Sequence, residues 1–246
     1  MRGRSQHLGE YKVEMIILAA DTGTSINTVA VCDGDRPLAE TIVETGRSHS
    51  EKLLLTVDWV LEEAGLTLDD VQMLAIGIGP GSFTGLRIGV ATWKGLTFAR
   101  NLPLVAVPSL DAMTRLAPFH NEVVCPLLDA RMHEVFGAVY RFEDGRRRKL
   151  VADSVCPVDA ILDQVPDPAP IFLGNGATLY RDRIVARIPG ARFAPAACSL
   201  PRASAIAAES VALLGVGIST DAAAVSPVYL RKSQPEEKKS QSEVNP

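Results

Sequence analysis

Two segments of this chain carry the residue types that handle phosphate. Asp21-Thr22-Gly23-Thr24 follows the apolar run Met15–Ala20. An acid at a strand end can hold a metal-bound phosphate, a glycine lets backbone approach closely, and a threonine adds a hydroxyl and an N–H. The second segment, GIGPGSFTGLRIGVATWKGLTFAR, runs from Gly77 to Arg100 with glycines at 77, 79, 81, 85 and 89. Glycine-rich loops that open a helix often bind phosphate. This one lacks the order that does so: no Lys-Ser/Thr follows a final glycine, the spacing is not that of a dinucleotide fingerprint, and Ser82 is not in a G-x-S-x-G elbow. Its helix is instead rich in small residues. Gly85 and Gly89 lie four apart, as do Ala91, Gly95 and Ala99. Residues four apart share a face, and each helical glycine costs about 1 kcal/mol against alanine. Such a helix packs tightly, either inside the fold or against a partner.

No metal-binding or catalytic set accompanies these segments. The histidines are His7, His49, His120 and His133, and none are four apart, so the helical pair of a zinc site is missing. His133 reads as a surface or capping residue. Cys32, Cys125, Cys156 and Cys198 are far apart with no C-x-x-C, as expected of reduced, mostly buried thiols in the cytoplasm. The 246 residues are 47% hydrophobic with a net charge of −4, enough for a large core and without the basic footprint of a nucleic-acid binder. Arg146-Arg147-Arg148-Lys149 is the densest basic run and reads as a solvated hairpin tip after Asp144-Gly145. The nearest approach to a membrane-length apolar run, 205–218, is interrupted by Glu209 and Ser210. Residues 1–14 are polar, without a signal-peptide apolar region, and are expected to form a flexible extension. Residues 232–246 are expected to be disordered.

The elements that must position these groups occur in one order, twice. Strands at Met15–Ala20, Asn27–Cys32 and Leu38–Val43 precede a helix at Ser50–Ala64, a strand at Val71–Ile78, a helix at Gly85–Arg100 and a strand at Leu104–Val107. The second series has strands at Val123–Leu128, Glu134–Phe142 and Lys149–Val155, a helix at Val158–Gln164, a strand at Ile171–Leu173, a helix at Thr178–Arg187 and a strand at Ala191–Ala194. Asp129 falls where Asp21 fell, and Gly174-Asn175-Gly176 follows the later strand. Three antiparallel strands followed by crossover units build a mixed sheet with helices on its faces. The predicted class is α/β, with two ribonuclease-H-like lobes at 15–108 and 109–231. A closing helix near Arg202–Leu214 has the N-terminal lobe as a candidate seat. The arrangement resembles the actin–sugar kinase–Hsp70 superfamily, whose members bind ATP between lobes.

Gly79-Pro-Gly-Ser-Phe-Thr-Gly-Leu-Arg-Ile-Gly89 with Lys94-Gly95, Ile17-Leu-Ala-Ala-Asp-Thr22, Leu128-Asp-Ala-Arg-Met-His-Glu-Val-Phe136 and Pro227-Val-Tyr-Leu-Arg231 resemble the bacterial TsaB (YeaZ) family, over about Met15 to Arg231. That family has also been labelled glycoprotease-like, or peptidase M22-like. The resemblance implies a non-catalytic subunit for making N6-threonylcarbamoyladenosine in tRNAs that read ANN codons. Its implied partners are the catalytic paralogue TsaD, the ATPase TsaE through the complex, tRNA indirectly, and a second copy when alone. It implies no cofactor, with ATP entering only in the complex, and leaves Asp21, Gly23, Thr24, Asp129, Gly174 and Gly176 as vestigial nucleotide loops. On the first long helix, Leu53, Val57, Val60, Leu61 and Ala64 form one stripe, while Leu54, Leu55 and Trp59 spread beyond it. They are either a wide buried face or an exposed patch of the kind that marks an interface. The resemblance implies docking through this helix and the Gly85–Arg100 helix, with Leu54, Leu55, Trp59, Gly85, Arg87 and Gly89 as interface residues. Two other readings stand beside it: a stand-alone ATP-dependent phosphotransferase using Asp21, Thr24 and Asp129, and a metallopeptidase, which the histidine spacing disfavours.

Overall fold

The computed structural model describes residues 15–44, 49–117, 122–143, 146–218 and 221–231. The extension expected over 1–14, the tail over 232–246, His7, His120, the side chain of His49 and the Asp144-Gly145 turn lie outside them. The first sheet begins with β1 (Ile16–Asp21), β2 (Ile26–Asp33) and β3 (Arg36–Glu44), paired antiparallel. Then follow α1 (His49–Glu63), β4 (Met73–Gly77), α2 (Phe83–Arg100) and β5 (Leu104–Val107). β4 joins β1 in parallel, giving the order β3-β2-β1-β4-β5. Every residue of β1, β2 and β4 is buried, which is why these segments read as continuous apolar runs rather than alternating ones. The pleat divides them by parity. Ile16, Leu18, Ala20, Val29 and Val31 meet Leu53, Val57, Val60 and Leu61 of α1 and Val90 and Trp93 of α2. Ile17, Ala19, Ala30, Cys32, Met73 and Ala75 face the other way.

The second sheet repeats the plan. After α3 (Ser109–Met113) come β6 (Val123–Arg131), β7 (Glu134–Glu143) and β8 (Arg146–Pro157), antiparallel. Then come α4 (Val158–Leu162), β9 (Ile171–Leu173), α5 (Asn175–Leu179), α6 (Arg181–Arg187) and β10 (Arg192–Phe193), in the order β8-β7-β6-β9-β10. The helix expected over Thr178–Arg187 is therefore two short ones, divided at Tyr180 (φ −103°, ψ 20°). α3, which covers one face of this sheet with Leu110 and Met113, was not expected from the sequence. Among the described residues, no helix is long and apolar enough to cross a membrane.

The last helix, α7 (Ala203–Gly215), lies on the free face of the first sheet, seating Ala203, Ala205, Ile206 and Ala207 against β1, β2, β4 and β5. A fully buried large aliphatic side chain contributes about 1.5–3 kcal/mol, and only Ile206 of these four is large. Polar anchors therefore matter at its start. The Ala203 N–H donates to Thr28 Oγ1 (3.0 Å), and the Ser204 N–H donates to Glu40 Oε1 (2.9 Å). Glu40 also pairs with Arg202. A carboxylate here meets the positive end of the helix.

Farther along α7, Glu209 is 1% exposed and ties α7 to the second sheet. Its Oε2 accepts from Arg115 Nε (2.7 Å) and from Arg147 Nη1 (2.9 Å). Arg147 Nη1 also donates to the Asp111 carbonyl (2.7 Å), and Lys149 pairs with Asp111 (2.6 Å) and Asp153 (2.8 Å). Tyr140 donates to Asp111 Oδ1 (2.6 Å); its burial, and then the nearby Asp111 charge, push its phenol well above the ordinary range. This corrects the reading of Arg146–Lys149 as a solvated tip. The run opens β8, and strand alternation turns Arg147 and Lys149 toward Asp111 while Arg146 and Arg148 face outward. Removing one partner from a buried ion pair leaves the other uncompensated. Glu209→Gln is expected to destabilise the protein by roughly 2–3 kcal/mol, less than for a fully buried pair because Arg115 is partly exposed. Urea unfolding of the variant beside wild type checks it.

Candidate functional site

The turn after β1 is where the superfamily's phosphate chemistry would sit, and its acid is already spent. Asp21 is 1% exposed. Its Oδ1 accepts from the Gly23 N–H (2.7 Å), and its Oδ2 accepts from Ser109 Oγ (2.6 Å) at the start of α3. Ser109 Oγ in turn accepts from the Gly79 N–H (3.2 Å). Burial pushes the Asp21 carboxyl up from its ordinary value, against the opposing effect of the Ser109 and Gly23 hydrogen bonds. Thr24 turns its hydroxyl to the Ile26 N–H (3.1 Å). Both Asp21 oxygens thus accept from protein donors in a closed setting, a poor fit to a metal-bound phosphate. Among the described residues no group of three or more His, Cys, Asp or Glu is placed to hold a metal ion.

The glycine-rich stretch is what closes that setting. The Ser82 N–H donates to the Gly23 carbonyl (2.7 Å), and Thr22 Oγ1 donates to the Gly85 carbonyl (2.8 Å). A β-carbon on Gly85 would lie 2.1 Å from the Thr22 carbonyl oxygen, and one on Gly89 would lie 2.3 Å from Thr22 Oγ1. α2 is glycine-bearing here because it rests directly on the Thr22–Gly23 backbone. This corrects the placement of Gly85 and Gly89 on a partner interface: both are buried within the chain. The other small stripe differs. Ala91, Gly95 and Ala99 are exposed, and nothing lies within 4 Å of a β-carbon built on Gly95. A signal separating the two stripes was present in the sequence. Gly85 and Gly89 continue at the same spacing into Trp93, which is fully buried with its indole N–H on the Leu18 carbonyl (3.3 Å).

Asp129 mirrors Asp21 in form only. Its Oδ1 accepts from the Arg131 N–H two residues on (2.8 Å), as Asp21 does from Gly23, and its own N–H donates to Asn175 Oδ1 (3.0 Å). Gly174 (φ +100°) and Gly176 let α5 press on the backbone at Leu127 and Leu128. Arg131, Met132 and His133 all take left-handed φ values, and His133 is an exposed turn residue. A C-terminal strap joins the two turns. The Val228 N–H donates to the Ile78 carbonyl (2.8 Å), and Tyr229 stacks on Phe83 with ring centroids 4.6 Å apart. Arg231 donates to the Ala130 carbonyl (2.9 Å) and pairs with Glu134. Arg87 lies at the edge of this strap, its Nε donating to the Tyr229 hydroxyl (3.0 Å) and its guanidinium 3.8 Å from the Phe83 ring centroid.

The outer face of α1 is apolar and open. Leu54, Leu55 and Trp59 are 50%, 67% and 49% exposed, so the alternative of a wide buried face is excluded. On α2, Phe98 is 72% exposed, seven residues after Ala91 and on its side of the helix. Sequence reasoning missed Phe98, although its offsets from Ala91 and Gly95 place it on the small stripe. Large apolar side chains left exposed together on one helix face are a recognised mark of an interface.

Two contrasts test this geometry. Gly85→Ala is expected to destabilise the chain by about 1–3 kcal/mol, because its methyl meets backbone that cannot yield. Gly95→Ala is expected to stabilise it by up to about 1 kcal/mol through helix propensity. Chemical denaturation reads both. Asp21→Asn keeps an acceptor for Gly23 and removes the buried charge. Because the folded-state value of Asp21 is raised, wild-type stability falls as pH climbs from the ordinary carboxylate range through that value. The variant, which cannot ionise here, is therefore expected to lose that fall, so that its melting temperature gains on wild type as pH rises; calorimetry across pH checks it.

Comparison with known proteins places this geometry in a family. The family model described as TsaD, tRNA N6-adenosine threonylcarbamoyltransferase, matches residues 43–238. The tRNA threonylcarbamoyladenosine biosynthesis protein TsaB of Haemophilus influenzae is 32% identical over 177 residues, which cover 68% of this chain and 74% of that one. YeaZ from Pseudomonas aeruginosa superposes with a TM-score of 0.71 at 30% identity, over 88% of this chain and 100% of that one. The ROK hexokinase of Thermus thermophilus shares the fold alone, with a TM-score of 0.50 at 13% identity over 82% of this chain and 100% of that one. The two repeated sheets thus share the fold of that hexokinase, and the chain belongs to the TsaB (YeaZ) family.

Proposed function

We propose that this chain is the non-catalytic docking subunit of the cytoplasmic bacterial machinery that forms N6-threonylcarbamoyladenosine in tRNA. In this reading it binds the catalytic paralogue TsaD through α1 and the outer stripe of α2, with TsaE and tRNA joining through the complex. Alone, it pairs with a second copy through the same face. Its lobes are taken as 15–108 and 109–231. The reading is carried by the open apolar face of Leu54, Leu55, Trp59 and Phe98. Two further features support it. The curated name of the Haemophilus relative places that protein in threonylcarbamoyladenosine biosynthesis. The capture of both Asp21 oxygens leaves a phosphotransferase without its acid. A helix pair with small residues at Ala91, Gly95 and Ala99 lets a partner helix approach closely, while Trp59 supplies the large area that dominates interface energetics.

The test is Trp59→Glu. A charge stranded in an apolar contact costs at least about 2–4 kcal/mol of binding. The variant is expected to keep the wild-type circular dichroism and melting temperature, since the side chain is half exposed in the free chain. It is expected to lose both self-association and TsaD binding in sedimentation, and to abolish tRNA modification by the reconstituted set. A folded variant that still binds TsaD normally would sink this reading.

A further inference from the structure

The two helices of the open face carry opposite charges in different circumstances. On α1, Asp58, Glu62 and Glu63 are exposed beside Leu55 and Trp59, and no cation among the described residues pairs with any of them. Asp58 and Glu62 follow Leu54 at four-residue spacing, so they run as one row between Leu54 and the Leu55–Trp59 pair. On α2 the cations are engaged inside the chain. Arg87 is held by Tyr229 and Phe83, Lys94 Nζ donates to the Ala223 carbonyl (3.4 Å), and Arg100 pairs with Asp69. The face therefore interleaves apolar side chains with acids that no described cation pairs. A two-fold self-contact brings each copy's acids against a surface whose described cations are already committed. A partner with free Lys or Arg on an apolar helix pair complements these acids, and like-charge juxtaposition suppresses the wrong partner.

We infer that the exposed acids Asp58, Glu62 and Glu63 on α1 select a partner whose docking helices carry free Lys or Arg, disfavouring the homodimer relative to that heterodimer. This rests on the docking face proposed above, with TsaD from the same organism as the probe. The acids set which partner wins, while Trp59 and the neighbouring leucines supply adhesion to either.

The experiment uses the full chain with Asp58→Asn and Glu62→Gln together, which removes two charges and keeps the side-chain shapes. Neutralisation is expected to weaken the TsaD complex by about fivefold to tenfold and to tighten the homodimer by a similar factor. Both are read by sedimentation or interferometry. Raising salt from about 0.1 M to about 1 M, where the screening length falls from about 10 Å to about 3 Å, is expected to act on wild type in the same two directions. Equal shifts of both assemblies, or no shift in either, overturn the inference. The Trp59→Glu result separates this failure from that of the docking reading. If Trp59→Glu abolishes binding while neutralisation changes nothing, the face is right and its acids are not selective. If Trp59→Glu leaves binding intact, the face itself is wrong and the inference falls with it.

Discussion

α2 lies in direct contact with the backbone of the Thr22–Gly23 turn, and much of the packing around the first sheet follows from that seat. Only a residue without a β-carbon fits at Gly85 and Gly89, so the helix cannot rotate without opening the contact. With its inner face fixed, Trp93 lands under β1 with its indole on the Leu18 carbonyl, and the opposite stripe of Ala91, Gly95 and Phe98 is turned outward. The same contact encloses Asp21. The Gly23 carbonyl takes the Ser82 N–H, and Ser109 reaches in from α3, leaving the acid in a sealed pocket of hydrogen bonds. Burying the acid and presenting the outer stripe of α2 are two results of one packing decision.

Much of this plan was legible in the sequence. β1, β2 and β4 are buried on both faces, so their apolar runs stood out against the turns that bound them. The repeated order of elements, and with it the superfamily fold, followed from those runs. What escaped was short or non-local. α3 and α5 are five residues each and α6 is seven, too short to show helical periodicity, and the break at Tyr180 has no proline or glycine at it. Arg147 looked like part of a solvated charge run because its partner Glu209 lies 62 residues downstream. Gly85 and Gly95 are the same residue on the same helix, yet one faces backbone and the other solvent. Chemistry alone could not separate them, though the phase set by Trp93 could have. The exposure of Leu54, Leu55 and Trp59 was left open because helix position alone does not reveal how wide a neighbouring sheet is.

Charge is unevenly committed across the molecule. Between α7 and the second sheet, Glu209 meets Arg115 and Arg147, and Asp111 meets Arg147 and Lys149, so the acids and bases of that junction neutralise one another at short range. Such pairs fix geometry rather than add much stability, since desolvation offsets a large part of their attraction. On the outer side of α1, no cation among the described residues meets Asp58, Glu62 or Glu63. An interior whose charges neutralise one another beside a face that holds some free suits a body that must be rigid in itself and selective at one face.

The position of α7 has a consequence for how the chain is made. The face of the first sheet that it covers, with Ile17, Ala19, Met73 and Ala75, is complete once β5 has formed, but its cover begins only at Ala203. During synthesis the whole second sheet must leave the ribosome while that apolar face waits bare. Partly built domains with open apolar surface are the ones that aggregate. The first sheet is therefore the last to be covered, and the nascent protein passes through a stage at which its oldest part is the one that most needs a chaperone.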